Sequence, residues 1–153
     1  MALLLAFSIG FFAGLRSLTA PAAVAWAVYL GWFKVDYPLA YIGRFASVAV
    51  FSVLAAVEVI ADKLPETPNR TAPLGLSARM AMGGLTGACT AAGAGSAVIL
   101  GAALGAVGGV AGCFLGYEAR ARLVRAFGTR DIYIAVLEDI LTIGGSLWVA
   151  SRL

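Results

Sequence analysis

The sequence predicts an all-α integral membrane protein. Three observations carry that reading. Hydrophobic residues make up 61% of the 153 and charged residues only 12%, where soluble domains average about 25% charged. The mean hydropathy is +0.94, which is bilayer composition rather than that of a water-soluble domain of this length. The apolar residues also gather into six segments parted by polar stretches.

The first segment, 2–13, has roughly a dozen residues and reaches only ~18 Å, short of the ~30 Å hydrocarbon core. The second, 21–33, is equally short. Between them "GLRSLTAP" breaks the run and places Arg16, the one charge between residues 2 and 33. The third segment, 37–61, is long enough to span. A polar, proline-rich connector follows, "DKLPETPNRTAPLG". The fourth segment covers 76–92. The fifth, 96–117, is dominated by small residues. "EARARLVRAFGTRD", the most charged piece of the chain, separates it from the sixth, 132–150.

The net charge of +3 matters less than its placement. Lys63, Arg70 and Arg79 form one basic group; Arg120, Arg122, Arg125 and Arg130 form another. The positive-inside bias puts both basic stretches, 63–79 and 120–130, on the cytoplasmic side of the membrane. Segments four and five then form a hairpin, and segment six leaves the C-terminus outside. Segment three starts outside, near Lys34 and Asp36. Segments one and two form a second hairpin, re-entrant or fully crossing. The chain reads as one transmembrane domain, 1–153, with a first half over 1–63, a connector over 64–75 and a second half over 76–153. Each half is a hairpin plus a helix, in opposite orientation. An internal repeat fits this layout. "AGLRSLTAPAAVAWAVYLG" from Ala13 lies on "GGLTGACTAAGAGSAVILG" from Gly83 without gaps, and "AAVEVIADK" on "AVLEDILTI" sets Glu58 on Glu138. Inverted repeats with broken helices are the architecture of many secondary transporters.

Several chemistries are excluded or unsupported. The chain has no histidine, so Ser-His-Asp hydrolysis and His-ligated metal sites are out. Cys89 and Cys113 sit in apolar, glycine-rich sequence at a spacing that fits no zinc motif; they read as small buried residues. No basic patch interleaved with aromatics points to nucleic acid. The glycine-rich fifth segment lacks the Lys–Ser/Thr ending of a phosphate loop, and no cofactor is expected. Residues 2–13 imitate a signal peptide without its positive n-region, and the small residue Ala20 runs into Pro21; the stretch reads as part of the mature protein.

The candidate site starts at the break. Pro21 suits a first helical residue, with Thr19 or Ser17 near the cap. The second segment would then aim unpaired N–H groups into the interior, which with Arg16 favour an anion. The alternative is that Arg16 snorkels to an interface or pairs with an acidic residue. Glu58 and Asp62 share one helical face at i, i+4. Asp62, beside Lys63, reads as interfacial. Glu58, a turn deeper, reads as a proton or cation coupling site, as the counter-ion of Arg16, or as a boundary carboxylate. Glu138 and Asp139 stand some seven residues into segment six, about 100° apart on a helix, so at least one faces inward. The repeat predicts that Glu58 and Glu138 reach one central site from opposite leaflets; the alternative is two unrelated charges, one paired with Arg79 or Arg44. The substrate-binding set is thus Arg16, Ser17, Thr19, Glu58 and Glu138, with Asp62, Lys63, Asp139 and Arg79 as coupling or ion-pair residues. Arg44 reads as an interfacial anchor, Glu118–Arg122 as an i, i+4 pair in water, and the 120–130 cluster as an orientation signal or a contact to anionic lipid head groups. Gly101, Gly105, Gly108, Gly109, Gly112 and Gly116 give small-xxx-small faces for close helix packing, within the chain or across a homodimer formed through 101–116.

"GLRSLTAPAAVAWA", "EVIADKLPETPNRTAP" and "LEDILTIGG" together resemble the bacterial membrane family known as domain of unknown function 4126, over nearly the whole chain. The most specific element is Glu58, Asp62, Lys63 and Pro65 in Glu-x-x-x-Asp-Lys-x-Pro; Leu137, Glu138 and Asp139 are similar to the family's C-terminal pattern. The sequence looks like the shorter branch, with the Gly-Leu-Arg-Ser start. The resemblance implies a small polytopic membrane protein and singles out the same residues, without naming an activity.

The expected function is a small transporter or channel-like carrier for an anionic or phosphate-bearing solute or lipid, coupled to protons or cations, with membrane lipids as partners. A lipid-phosphate carrier or scramblase is a variant. The competing expectation is a non-transporting scaffold or partner subunit whose charges are buried ion pairs. An enzyme is not expected, because no nucleophile–base arrangement can be assembled. Arg16 paired with Glu58 in a dry core favours the scaffold; Arg16, Glu58 and Glu138 lining one wet cavity favours transport.

Overall fold

The computed structural model describes residues 1–62, 71–128 and 130–153. Among them the chain forms six α-helices and one 3-10 turn, with no strand. The helices are α1 (Ala2–Leu15), α2 (Thr19–Tyr29), α3 (Phe45–Ala61), α4 (Pro73–Gly93), α5 (Val98–Phe127) and α6 (Asp131–Ala150); the 3-10 turn is Leu39–Gly43. By length and composition α5 and α6 are long and apolar enough to cross a membrane, while α1 and α3 are apolar and shorter.

Glycine builds the centre. Gly10 and Gly14 of α1 lie on the backbone of Gly105, Gly109 and Gly112 in α5, and Gly83 and Gly87 of α4 lie on Gly101, Gly105 and Gly109. A Cβ at any of these positions would strike a neighbouring backbone. The absent side chains let α1, α4 and α5 touch main chain to main chain. The glycine face of α5 is therefore occupied within the chain, and its residues are buried there.

These contacts also set the direction of each helix. With the α4–α5 turn at 94–97 taken as the upper end, α1 descends beside α5. α2 climbs back, because Phe33 packs its ring on Gly93 at the top of α4. Gly43 meets Val28, after which α3 descends until Glu58 and Asp62 reach the α1–α2 turn. α6 climbs, with Asp139 low against Arg16. The first three helices run down–up–down and the last three up–down–up. At ~1.5 Å per residue, Arg79 stands about 9 Å above the start of α4 and Asp139 about 12 Å above the start of α6. The short α1–α2 hairpin thus turns back before the lower ends of the longer helices.

Four expectations need correction. The third apolar segment is α-helical only from Phe45, since Pro38 and the 3-10 turn occupy its start. α2 begins at Thr19, two residues before Pro21, and carries no side-chain cap of its own. α5 does not stop at the charged stretch. It continues to Phe127 and ends at Gly128, whose φ of 58° is the left-handed conformation of a helix stop. Last, the gapless alignment sets the 16–18 break on 86–88, inside the unbroken α4; the second half breaks at 94–97 instead. Glu58 lies near the foot of the descending α3 and Glu138 eight residues into the ascending α6, so the two helices reach the level of the break from opposite directions.

Candidate functional site

The break between α1 and α2 exposes two helix ends, and each receives a charge from another element. Arg16 takes an extended backbone conformation (φ −138°, ψ 113°) and terminates α1. Past it, Ser17 and Leu18 form the turn that leads into α2, and their N–H groups lie outside the helical ladder. Glu58 of α3 fills that position. Its Oε1 accepts the Ser17 N–H at 2.8 Å and the Ser17 hydroxyl at 2.6 Å, and its Oε2 accepts the Leu18 N–H at 2.9 Å. A carboxylate at a helix N-terminus complements the dipole. The C-terminus of α1 is served in the opposite sense. Arg79 of α4 donates from Nε to the Gly14 carbonyl at 3.1 Å and from Nη1 to the Gly75 carbonyl at 3.1 Å. Its Nη2 lies 3.9 Å from Glu58 Oε1, so the two capping charges face one another across the break.

Arg16 is fully buried. Its Nη1 donates to Asp62 Oδ2 at 2.7 Å, and its Nη2 lies 2.5 Å from Asp139 Oδ1. Nε has no hydrogen-bond acceptor among the described residues. The counter-ions of Arg16 are therefore the aspartates, and Glu58 is not one of them. Asp62 is the C-cap of α3, so the i, i+4 spacing of Glu58 and Asp62 sends one carboxylate to the α2 backbone and the other to Arg16. Glu138 and Asp139 are both buried and diverge as adjacent helical residues must. Asp139 meets Arg16, and Glu138 lies 3.5 Å from Arg120 Nη1. Arg120 also grips Asp131 bidentately, from Nε at 2.8 Å and Nη2 at 2.5 Å.

The break thus gathers Arg16, Ser17, Glu58, Asp62, Arg79 and Asp139, with Glu138 joined beside them through Arg120. Thr19 is buried but faces a crevice between α2, α3 and α6. Lys63 lies outside the described residues. Arg44 stacks over the Tyr41 ring at 4.0 Å, away from the break. Glu118 and Arg122 form the expected exposed pair at 2.9 Å. Cys89 and Cys113 are both buried, as expected of small residues in apolar sequence. Among the described residues, no group of three or more acidic or cysteine side chains is placed to hold a metal.

Two members escaped the sequence reading, Arg120 and Asp131, because both sit in the charged stretch taken for a loop. The signal was present. Arg120 follows Gly112 and Gly116 at four-residue intervals, so a helix continued through "EARAR" keeps it on the buried glycine face.

A family model, Domain of unknown function (DUF4126), matches residues 3–151. The chain belongs to that family. No curated protein and no solved structure matches it significantly. In this DUF4126 chain the match takes in every residue of the charge network, along with both ends of the broken hairpin.

Proposed function

We propose that this DUF4126 chain is a multi-pass carrier in a bacterial inner membrane, handling an anionic, carboxylate- or phosphate-bearing solute or lipid. The membrane reading draws support from the surface. Val53, Ile60, Ile99, Leu115, Ile140 and Leu141 are all exposed on the outer faces of α3, α5 and α6, which suits lipid better than water. The helix directions bring the foot of α3 and the start of α4 to the same lower end as the foot of α5 and the start of α6, as a shared cytoplasmic side for both basic stretches requires. The opposed down–up–down and up–down–up halves are the arrangement an inverted repeat would take, though not in the gapless register.

One observation carries the carrier reading. The start of α2 presents two N–H groups and the Ser17 hydroxyl to a carboxylate that belongs to another helix, beside Arg79. Glu58 occupies the seat that an anionic substrate would occupy. Exchange of Glu58 for substrate would move α3, and protonation of Glu58 would favour the exchange, giving proton coupling.

The test is a thermal-shift titration of detergent-purified protein with inorganic phosphate and small carboxylates. Glu58→Gln removes the competing charge and keeps the side-chain shape. It should fold and bind the anion about tenfold tighter than wild type, which corresponds to ~1.4 kcal/mol. A Glu58→Gln protein that folds and shows no anion response at any concentration sinks the carrier reading.

The scaffold reading has an observation of its own: Arg16 is wholly enclosed with two aspartates, an arrangement that needs no ligand. Loss of all anion response would leave that as the better account.

A further inference from the structure

We infer that the lower end of α5, with Arg122, Arg125 and Arg130, is a docking surface for the head groups of anionic phospholipids. The inference goes beyond the carrier reading. It rests on the membrane part of that reading and not on the anion seat, and the lipid here is an anchor rather than a cargo.

α5 is longer than a bilayer core needs. Its 30 residues reach about 45 Å at ~1.5 Å each, against ~30 Å of hydrocarbon. Gly109 lies on the backbone of Arg79 and Met80, six residues above the start of α4. α5 therefore passes the start of α4 near Leu115 and runs on for about 18 Å. Arg120 ties this extension to the start of α6 through Asp131. Beyond Arg120, residues 121–127 make no hydrogen bond or ion pair to another helix among the described residues. Tyr117 and Tyr133 are exposed on α5 and α6 at this level, as tyrosines at a membrane–water interface are. The arginines that follow would then stand at the depth of the head groups.

The chemistry of the surface selects the partner. Between Glu118 and Asp131 there is no acidic residue, and the basic residues are four arginines and no lysine. A topology signal asks only for positive charge, which lysine supplies as well. The planar guanidinium adds a fork that matches phosphate oxygens two at a time. Two of the forks are oriented from within the helix. Arg122 donates from Nε to Glu118 Oε1 at 2.9 Å, and Arg125 donates from Nε to the Ala121 carbonyl at 3.1 Å. The Nη atoms of both make no hydrogen bond among the described residues. Both side chains are exposed, and at i, i+3 they are neighbours on one face. Arg130 is exposed at the start of α6. Neither Arg125 nor Arg130 has a carboxylate partner among the described residues.

The experiment has two readouts. Flotation of reconstituted protein with vesicles of phosphatidylcholine, alone or mixed with phosphatidylglycerol, reports insertion. Thermal-shift titration in a neutral maltoside detergent, with dimyristoyl phosphatidylglycerol, dimyristoyl phosphatidylcholine or inorganic phosphate, reports selectivity. Wild type should float with both vesicles. Phosphatidylglycerol should raise its melting temperature more than phosphatidylcholine does, by a margin that shrinks as salt is raised. A variant carrying Arg122→Gln, Arg125→Gln and Arg130→Gln should keep the lipid-free melting temperature and bind phosphatidylglycerol at least tenfold more weakly, at roughly fivefold per arginine. Should it melt early, Arg125→Gln with Arg130→Gln, which leaves the Glu118–Arg122 pair intact, takes its place. Phosphatidylcholine stabilising wild type as well as phosphatidylglycerol does overturns the inference, as does phosphatidylglycerol binding that the variant keeps in full. Inorganic phosphate matching phosphatidylglycerol, and losing its effect in the variant, overturns the lipid in favour of a free anion. Wild type that floats with neither vesicle overturns the membrane reading and this inference with it, whereas insertion without lipid preference overturns this inference alone.

Discussion

The two sides of the molecule are held together by different physics. Around α1, α4 and α5, glycine meets glycine and backbone meets backbone. Around α2, α3 and α6 the helices stand further apart, leave a crevice, and are joined by charges at one end. Close packing is bistable at best: a helix either fits the groove or does not. Ion pairs are exchangeable, because another charge of the same sign can replace a partner. A frame with no tolerance for extra atoms therefore carries a set of helices whose attachments can be swapped.

The sharpest way to break this comparison is to put a side chain into the frame. Gly105 has Gly83 and Gly87 of α4 on one side and Gly10 of α1 on the other, all at backbone contact. Overpacking a core costs ~1–3 kcal/mol when side chains can shift, and here the neighbours are main chain. Gly105→Leu should give no monodisperse protein in size-exclusion chromatography. A folded Gly105→Leu protein with a wild-type melting curve would remove the frame from the argument.

The next largest effect belongs to Arg16. Arg16→Ala takes from Asp62 and Asp139 the buried guanidinium that both contact, a change that costs ~3–5 kcal/mol in buried pairs. The melting temperature should drop steeply. Adding Asp62→Asn and Asp139→Asn to the same chain removes the stranded charges and should recover much of the loss. Recovery would mark the cluster as a balanced set of charges. No recovery would mean that Arg16 contributes packing as well as charge.

Glu58→Gln should be milder. The amide oxygen still accepts from the Ser17 N–H and hydroxyl, while the amide NH2 stands where Oε2 accepted the Leu18 N–H, so one charge-assisted hydrogen bond of the ~1.5–3 kcal/mol class is lost and the others are weakened. A modest fall in the unliganded melting temperature, alongside the tighter anion binding argued above, would separate the exchangeable side from the frame. A fall as large as that of Arg16→Ala would make Glu58 part of the frame.

How much of this was legible in the sequence follows from what each feature depends on. The break at Arg16 was legible because a single cation and a proline interrupt an apolar run. Helical spacing showed that at least one of Glu138 and Asp139 faces inward; it did not show that both do, and it left Asp62 at the interface, where the structure pairs it with buried Arg16. Which arginine meets which carboxylate was not, because pairing depends on helix direction and on contacts between residues far apart in the chain, such as Arg16 with Asp139 and Arg79 with Gly14. The length of α5 was misjudged because polarity was taken as a stop signal. Arginine, leucine, alanine and glutamate are good helix formers. What ended the helix was the positive φ of Gly128, a property of backbone geometry rather than of charge.

The smallest effect tests the edge of the network. Asp131 binds Arg120 through two hydrogen bonds, yet its side chain is 61% exposed, whereas Arg120 is largely buried and also near Glu138. Exposed ion pairs are worth ~0–1 kcal/mol because water and salt compete for both charges. Asp131→Asn should therefore shift the melting temperature slightly, with the shift shrinking as salt is raised. Glu138→Gln, on the enclosed side of the same arginine, should cost more and respond less to salt. Equal effects from both substitutions would mean that the enclosed layer does not stop at Glu138. It would then reach the α5–α6 turn, and the exchangeable side of the molecule would include that turn.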